Sequence, residues 1–240
     1  MPSLDVCFSP ELLHLYNLSG KIAVVVDVLR ATSSMVTALS HGVTHIVPVS
    51  ELEECRTYRD QGYLVAAERE GLKADGFDLG NSPFHYLEED RTGRVLAITT
   101  TNGTKAMRLS SPADEVLAGA FLNVGAVAQY VRKAGKDVVV VCAGWKGLFN
   151  LEDTLFAGAL ADRLNGEFTF DHDATQAAWH LYTTAKPDMM GFLANASHVQ
   201  RMKRLDILKD TEFCLQEDVY TVVPVLKGDF LVPAEQPILV

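Results

Sequence analysis

The chain of 240 residues has no stretch of about 20 apolar residues, so no membrane-spanning helix is expected. Positive charge is in short supply. Lys and Arg number 21 against 31 Asp and Glu, a formal net charge of −10, whereas a nucleic-acid-binding surface needs the reverse balance. Paired cysteines are missing too. Cys7, Cys55, Cys142 and Cys214 are scattered, with neither a C-x-x-C pair nor zinc spacing. They read as reduced, mostly buried thiols of a cytoplasmic protein. No basic stretch precedes an apolar one at the N-terminus, so no secretory signal is expected. H-E-x-x-H, G-x-S-x-G and G-x-x-x-x-G-K-[ST] are absent, which removes zincin, α/β-hydrolase and P-loop chemistry.

The apolar content is 48% and the charged content 22%, enough to build a large core. Short, nearly continuous apolar runs read as strands covered on both faces: Leu4–Phe8, Ile22–Val26, Thr44–Val49, Tyr63–Ala67, Val95–Thr99, Glu115–Ala118 and Asp137–Cys142. Helical periodicity separates them, over Ser33–Ser40, Glu51–Gln61, Phe121–Ala134 and Glu152–Leu164. Strand–helix alternation of this kind predicts a three-layer α/β/α fold with a mostly parallel sheet. The last third reads as helices over Asp173–Ala185, Asp188–Phe192, Ala196–Leu205 and Asp206–Cys214. A strand at Tyr220–Val225 and a hairpin through Lys227–Asp229 to Phe230–Val232 follow. With no repeat or linker, one unit over residues 1–240 with a helical C-terminal portion is the simplest partition.

Parallel sheets bind ligands beyond the carboxyl ends of their strands, where helix N-termini gather free N–H groups. In a chain this acidic, an anion must be attracted by such a local device or by a bound cation. The second strand runs out into Asp27, Arg30 and the hydroxyls Thr32, Ser33 and Ser34. That set suits a metal beside an oxyanion, and equally suits an ion pair and an N-cap. The fourth strand ends in Glu68, and a Gly-punctuated loop through Asn81 follows. Thr100, Thr101, Asn102, Gly103 and Thr104 bridge a strand and a helix with hydroxyls, an amide and a glycine, a cradle for an oxyanion. After the last strand of this series come Cys142 and Gly144, then Glu152 and Asp153 at a helix start. The two carboxylates are hard donors suited to Mg²⁺, or simple complements to the helix dipole. A nucleophilic Cys142 has no evident His partner.

Three of these segments resemble the 2-phosphosulfolactate phosphatase (ComB) family: Asp27–Ser34, Thr100–Thr104, and Cys142–Gly144 with Glu152–Asp153. The loop Gly80–Pro83 and the tail from Asp218 to Val225 fit as well, so the likeness runs from near residue 4 to near residue 230. The resemblance implies a Mg²⁺-dependent phosphomonoesterase that cleaves 2-phospho-3-sulfolactate to sulfolactate and phosphate, a step toward coenzyme M, or that acts on a related small anionic 2-phospho acid. One stretch departs. Where the family carries Ser-Glu-His-Gly, this chain reads Ala196-Ser197-His198-Val199 and keeps only His198, which bears on substrate preference.

The resulting expectation places Mg²⁺ on some of Asp27, Glu68, Glu152 and Asp153. It places the substrate on Arg30, Thr32, Ser33, Asn81, Thr101, Asn102, Gly103, Thr104 and Gly144. Asp27, Arg30 and His198 are the catalytic candidates, with His198 as the acid for the leaving alkoxide. Attack by water and an aspartyl-phosphate on Asp27 are both open. Homodimeric assembly is also open. The competing readings are a non-catalytic binding protein for a phosphorylated metabolite, and a scaffold subunit whose polar strand ends are only caps.

Overall fold

The computed structural model describes residues 1–235. In chain order its elements are β1 (Leu4–Cys7), β2 (Ile22–Val26), α1 (Ala31–Ser40), β3 (His45–Val49), α2 (Leu52–Thr57), β4 (Leu64–Arg69), β5 (Leu72–Lys73), β6 (Val95–Thr99), α3 (Gly103–Leu109), β7 (Glu115–Gly119), α4 (Val124–Ala134), β8 (Val138–Cys142) and α5 (Leu151–Leu164). The C-terminal portion adds α6 (Asp173–Ala185), α7 (Met189–Leu193), α8 (Ser197–Arg204), α9 (Leu208–Cys214), β9 (Pro224–Lys227) and β10 (Phe230–Pro233).

The ten strands form one sheet in the order β1-β8-β2-β7-β9-β10-β3-β6-β4-β5. Side-chain alternation along the strands sorts the core into layers. On β2 and β8, Val24, Val26, Val138 and Val140 pack in one cluster with residues of α4 and α5. Their neighbours Ala23, Val25, Val139 and Val141 point the other way. They share a second cluster with Met35 of α1, Met107 of α3, and Ile46, Leu96 and Ile98 of β3 and β6. The far face of β3, β4 and β6 carries Val47, Val65 and Ala97, which pack with Cys55 of α2. Helices thus cover both faces of a mostly parallel α/β sheet. This explains why the strand sequences lack polar alternation: neither face meets water.

Two parallel groups make up the sheet, β1-β8-β2-β7 and β3-β6-β4. Between them sits the antiparallel hairpin β9-β10, turned by Gly228 and Asp229, with Gly228 in the left-handed region at φ +60°. The hairpin meets each group through a single residue pair, Leu117 with Val225 and Leu231 with Ile46, both antiparallel. Three antiparallel pairings in succession set the two groups in opposite senses. In a flat sheet their carboxyl ends would lie on opposite edges. They meet instead, as the contacts below show, so the sheet bends sharply at this seam.

The central strands lie within a residue or two of their sequence-predicted positions. The tail differs. The strand expected at Tyr220–Val225 begins only at Pro224. Tyr220 N–H donates to the Leu122 carbonyl and the Asn123 amide donates to the Val222 carbonyl. This stretch is therefore tied to the chain before α4 and unavailable for a ladder. The expected helix Glu51–Gln61 tightens into a 3-10 turn after Thr57, and the start of Phe121–Ala134 is likewise 3-10 up to Asn123. The two-residue strand β5, which pairs with the end of β4, was too short to carry a pattern. Among the described residues no helix is long and apolar enough to cross a membrane.

Candidate active site

The exits of β2, β4 and β6 and the start of α5 converge, and each carries an acidic or hydroxyl side chain into one polar region. Asp27 follows β2 and is buried. One of its carboxylate oxygens, Oδ1, accepts from the Ala31 amide at 3.3 Å, at the first residue of α1. The other, Oδ2, lies against the backbone of Gly103, where an added Cβ would stand 3.0 Å from it and 2.8 Å from the Ala31 methyl. Glycine at 103 is what allows the start of α3 to approach the carboxylate this closely. Burial lifts the Asp27 carboxyl to about 6; the nearby His198 pulls the other way, and Glu68 and Glu152 add to the rise.

A chain of polar contacts ties the β4 exit to the C-terminal helices. Glu68 Oε2 accepts from the Thr101 hydroxyl at 3.3 Å, and its Oε1 accepts from the Gly71 amide at 2.6 Å. The Gly71 carbonyl in turn accepts from Arg30 Nη2 at 2.5 Å. Arg30 Nη1 is ion-paired to Asp210 of α9, and both side chains are buried. The turn that presents Gly71 has Glu70 and Gly71 both in the left-handed region, at φ 57° and 88°.

On the opposite wall stands α8. His198 Nδ1 lies 2.5 Å from Glu152 Oε1, and Glu152 is fully buried. Its second oxygen, Oε2, has no partner among the described residues, and neither does the buried Asn81 Oδ1. One turn beyond His198, the Arg201 guanidinium lies flat over the Trp145 indole, 3.4 Å from the ring centroid. The narrow cleft between these walls is lined by Asp27, Arg30, Glu68, Asn102, Trp145 and Arg201, together with Gly71, Asn81 and His198.

Several expected site residues are engaged elsewhere. Thr32 hydrogen-bonds the backbone of Asp27, Ser33 Oγ donates to the Val28 carbonyl, and Ser34 Oγ to the Asn81 carbonyl. All three are buried. A hydroxyl at the start of a buried helix is consumed by the turn that it closes. Thr104 is consumed in the same way by Thr100. Asp153 gives one oxygen to the Val28 amide at 2.8 Å and the other to the Gly144 amide at 3.1 Å. It thereby pins the β2 and β8 exits together, and it uses the Gly144 amide that had been assigned to substrate. Burial, then the charges of Asp27 and Glu152, push the Asp153 carboxyl well up. Thr101 and Asn102 face a neighbouring hollow with Lys105 and Lys146. The Cys142 thiol is raised well above its ordinary range by burial and by Asp153, which keeps it protonated and poorly nucleophilic.

Sequence reasoning missed Asp210 and Arg201. Arg201 had a signal, since three residues separate it from His198 on one helix face. Asp210 had none. Among the described residues no three His, Cys, Asp or Glu side chains come close enough to enclose a metal ion by themselves. The donors fit Mg²⁺ in a sparser way. This ion is commonly held by one or two carboxylates, with water and substrate phosphate completing the shell. Asp27 and Glu68 are hard oxygen donors on the cleft, and the unpartnered Glu152 Oε2 is a third such oxygen close behind it.

Comparison with known proteins decides the family. The family model described as 2-phosphosulpholactate phosphatase matches residues 7–229.

The chain belongs to the 2-phosphosulpholactate phosphatase family.

Its relatives agree. A protein of Caldanaerobacter subterraneus subsp. tengcongensis is 40% identical over 217 residues, covering 88% of this chain and 90% of its own. One of Thermotoga petrophila is 41% identical, covering 90% and 94%. One of Clostridium acetobutylicum is 38% identical over 229 residues, covering 92% and 96%. Each is named "Probable 2-phosphosulfolactate phosphatase". Family membership makes this chain a phosphoric monoester hydrolase. Asp27 and Asn102, from two of the segments singled out in the sequence, line the cleft.

Proposed function

We propose that this phosphatase hydrolyses 2-phosphosulfolactate, or a small 2-phospho acid of like charge, to the free hydroxy acid and phosphate, with Mg²⁺ held by Asp27 and Glu68 and its shell completed by water and substrate. The observation that supports this most is the meeting of two carboxylates, Asp27 and Glu68, and two guanidinium groups, Arg30 and Arg201, in one narrow cleft. Such a cleft suits a divalent cation and a multiply charged anion together. Bound Mg²⁺ supplies Lewis-acid stabilisation of the phosphoryl charge.

The chain's own groups divide the remaining work. Arg30, fixed by Asp210 and the Gly71 carbonyl, offers a rigid cation for phosphate oxygens. Glu152 fixes the ring of His198 through Nδ1, and the Nε2 proton of the imidazolium is the one delivered to the departing alkoxide. Attack by water is favoured over an aspartyl-phosphate. The Asp-x-Asp pair common in aspartyl-phosphate enzymes is absent, since Asp27 is followed by Val28 and Leu29. Asp27 then orients the water and accepts its proton.

The test is phosphate release from 2-phosphosulfolactate and from 2-phospholactate, with Mg²⁺ and with chelator. Turnover that disappears with chelator and returns with Mg²⁺ is expected. Turnover of neither ester under either condition sinks the assignment. Asp27→Asn lowers kcat on the order of 10²-fold or more if Asp27 handles the proton. Undiminished kcat removes it from the mechanism.

A further inference from the structure

The two guanidinium groups of the cleft are in different states. Arg30 is anchored: Asp210 takes one N–H and the Gly71 carbonyl another, which holds the group in place and leaves its remaining N–H donors for phosphate. Arg201 makes no hydrogen bond to any described residue, and its Nε is buried without a partner. Its guanidinium carbon stacks on the Trp145 ring at 3.4 Å, so a ligand in the cleft meets the terminal N–H groups. Burial holds the guanidinium below its ordinary value, and the nearby carboxylates Glu68, Glu152 and Asp27 offset this only in part. A half-buried cation with unmade hydrogen bonds is costly unless something arrives to accept them.

Its position indicates what arrives. Arg201 follows His198 by three residues on α8, so both side chains rise from one helix face. His198 is placed at the leaving oxygen of the ester. In a 2-phospho acid, the carbon skeleton attached to that oxygen carries the other acidic groups. Whatever binds beside His198 on the same face therefore meets the carboxylate or sulfonate rather than the phosphate.

We propose that Arg201, held flat by Trp145, is the specificity-determining residue of this phosphatase, and that it takes the second acidic group of the substrate in a forked hydrogen bond. This rests on the phosphatase reading above. A rival surface exists in the neighbouring hollow with Lys105 and Lys146. Lys105 is there already paired with Glu11 at 2.6 Å, in an exposed setting.

The experiment compares kcat/KM for 2-phospholactate with kcat/KM for phenyl phosphate, which lacks a second acid, in the wild type, Arg201→Gln, Arg201→Lys and Lys105→Gln. The ratio is expected to fall on the order of 30- to 100-fold in Arg201→Gln, the range of a lost charged hydrogen bond. In Arg201→Lys, which keeps the charge and loses the fork, an intermediate ratio is expected, and in Lys105→Gln the wild-type ratio. Calorimetry with sulfolactate and with inorganic phosphate gives a second readout. Arg201→Gln weakens sulfolactate in preference to phosphate. An equal loss on both esters, or an unchanged ratio in both Arg201 variants, overturns the assignment. A selective loss in Lys105→Gln alone also overturns it, by moving the second acid to the other hollow. A wild type that hydrolyses neither ester sinks the phosphatase reading, and Arg201 falls with it. A wild type that hydrolyses both without preference overturns Arg201 alone.

Discussion

At the scale of single residues, the cleft depends on side chains whose charges are settled before any ligand arrives. Asp210 is the clearest case. It is buried, 180 residues from Arg30 in the chain, and its carboxylate is what makes a buried guanidinium tolerable. Asp210→Asn leaves that charge uncompensated, which costs about 3–5 kcal/mol for a broken buried pair. Urea unfolding is expected to show a midpoint shifted down accordingly, with kcat/KM reduced as well, while Asp210→Glu recovers part of both. An unchanged midpoint would mean that water or another group replaces the partner. Asp162 shows the opposite, solvent-facing kind of pair. It accepts from Trp179 Nε1 at 3.1 Å and Lys186 Nζ at 2.9 Å. Burial works to raise its carboxyl, yet Lys186 and Trp179 outweigh that and hold it below its ordinary value. A carboxyl depressed in the folded state stabilises above its unfolded pKa, and the contribution fades as pH falls through the folded value. Asp162→Asn is thus expected to lose up to about 1 kcal/mol at pH 7 and progressively less below about pH 4. Thermal melts across that range check it, and a pH-independent loss would show that packing alone is at stake.

At the scale of elements, what sequence could and could not show follows from physical range. The strands were legible because both faces are covered, so Ile22–Val26 and Val138–Cys142 are unbroken apolar runs. Asp27, Glu68 and Glu152 were legible because they stand at strand exits or helix starts. The hydroxyls Thr32 and Ser33 misled for a local reason: the first turn of α1 is buried and absorbs them. Asp210 lies on a short, charged helix whose pattern gives no sign of which charge turns inward, whereas Arg201 could be reached only through its i, i+3 spacing from His198. Helix pairing carries its own prediction. Gly158 in α5 lies beneath α6, where an added Cβ would overlap the Ala178 carbonyl and stand 2.6 Å from the Tyr182 Cβ. Helix propensity alone favours Gly158→Ala by about 1 kcal/mol. The overlap reverses the sign, because backbone must move, at a net cost of about 1–3 kcal/mol. A lowered melting temperature is expected, and a raised one would show that α5 and α6 slide apart freely.

At the scale of the whole molecule, the seam is the feature with most reach. Single residue pairs hold the hairpin to each parallel group, whereas β2 is bonded along five residues to both β7 and β8. Local opening is easiest where cross-strand bonds are fewest. Amide hydrogen exchange is therefore expected to be faster at Val225 and Leu231 than at Val24 and Val140. Equal protection would show that side-chain packing, with Leu231 fully buried, locks the seam as firmly as a full ladder. The cleft spans both groups, since Asp27 follows β2 of one and Glu68 and Asn102 follow β4 and β6 of the other.

The hairpin is also made after everything that it joins. During translation, β7 and β3 emerge long before β9 and β10, and until then each bares a hydrogen-bonding edge in the middle of the future sheet. A ribosome that stalls before Pro224 leaves a chain holding every catalytic candidate named above and no keystone to bring them together. For such a product the hazard is self-association along those raw edges, and a cell's quality-control machinery would meet it as an aggregate rather than as a weak enzyme.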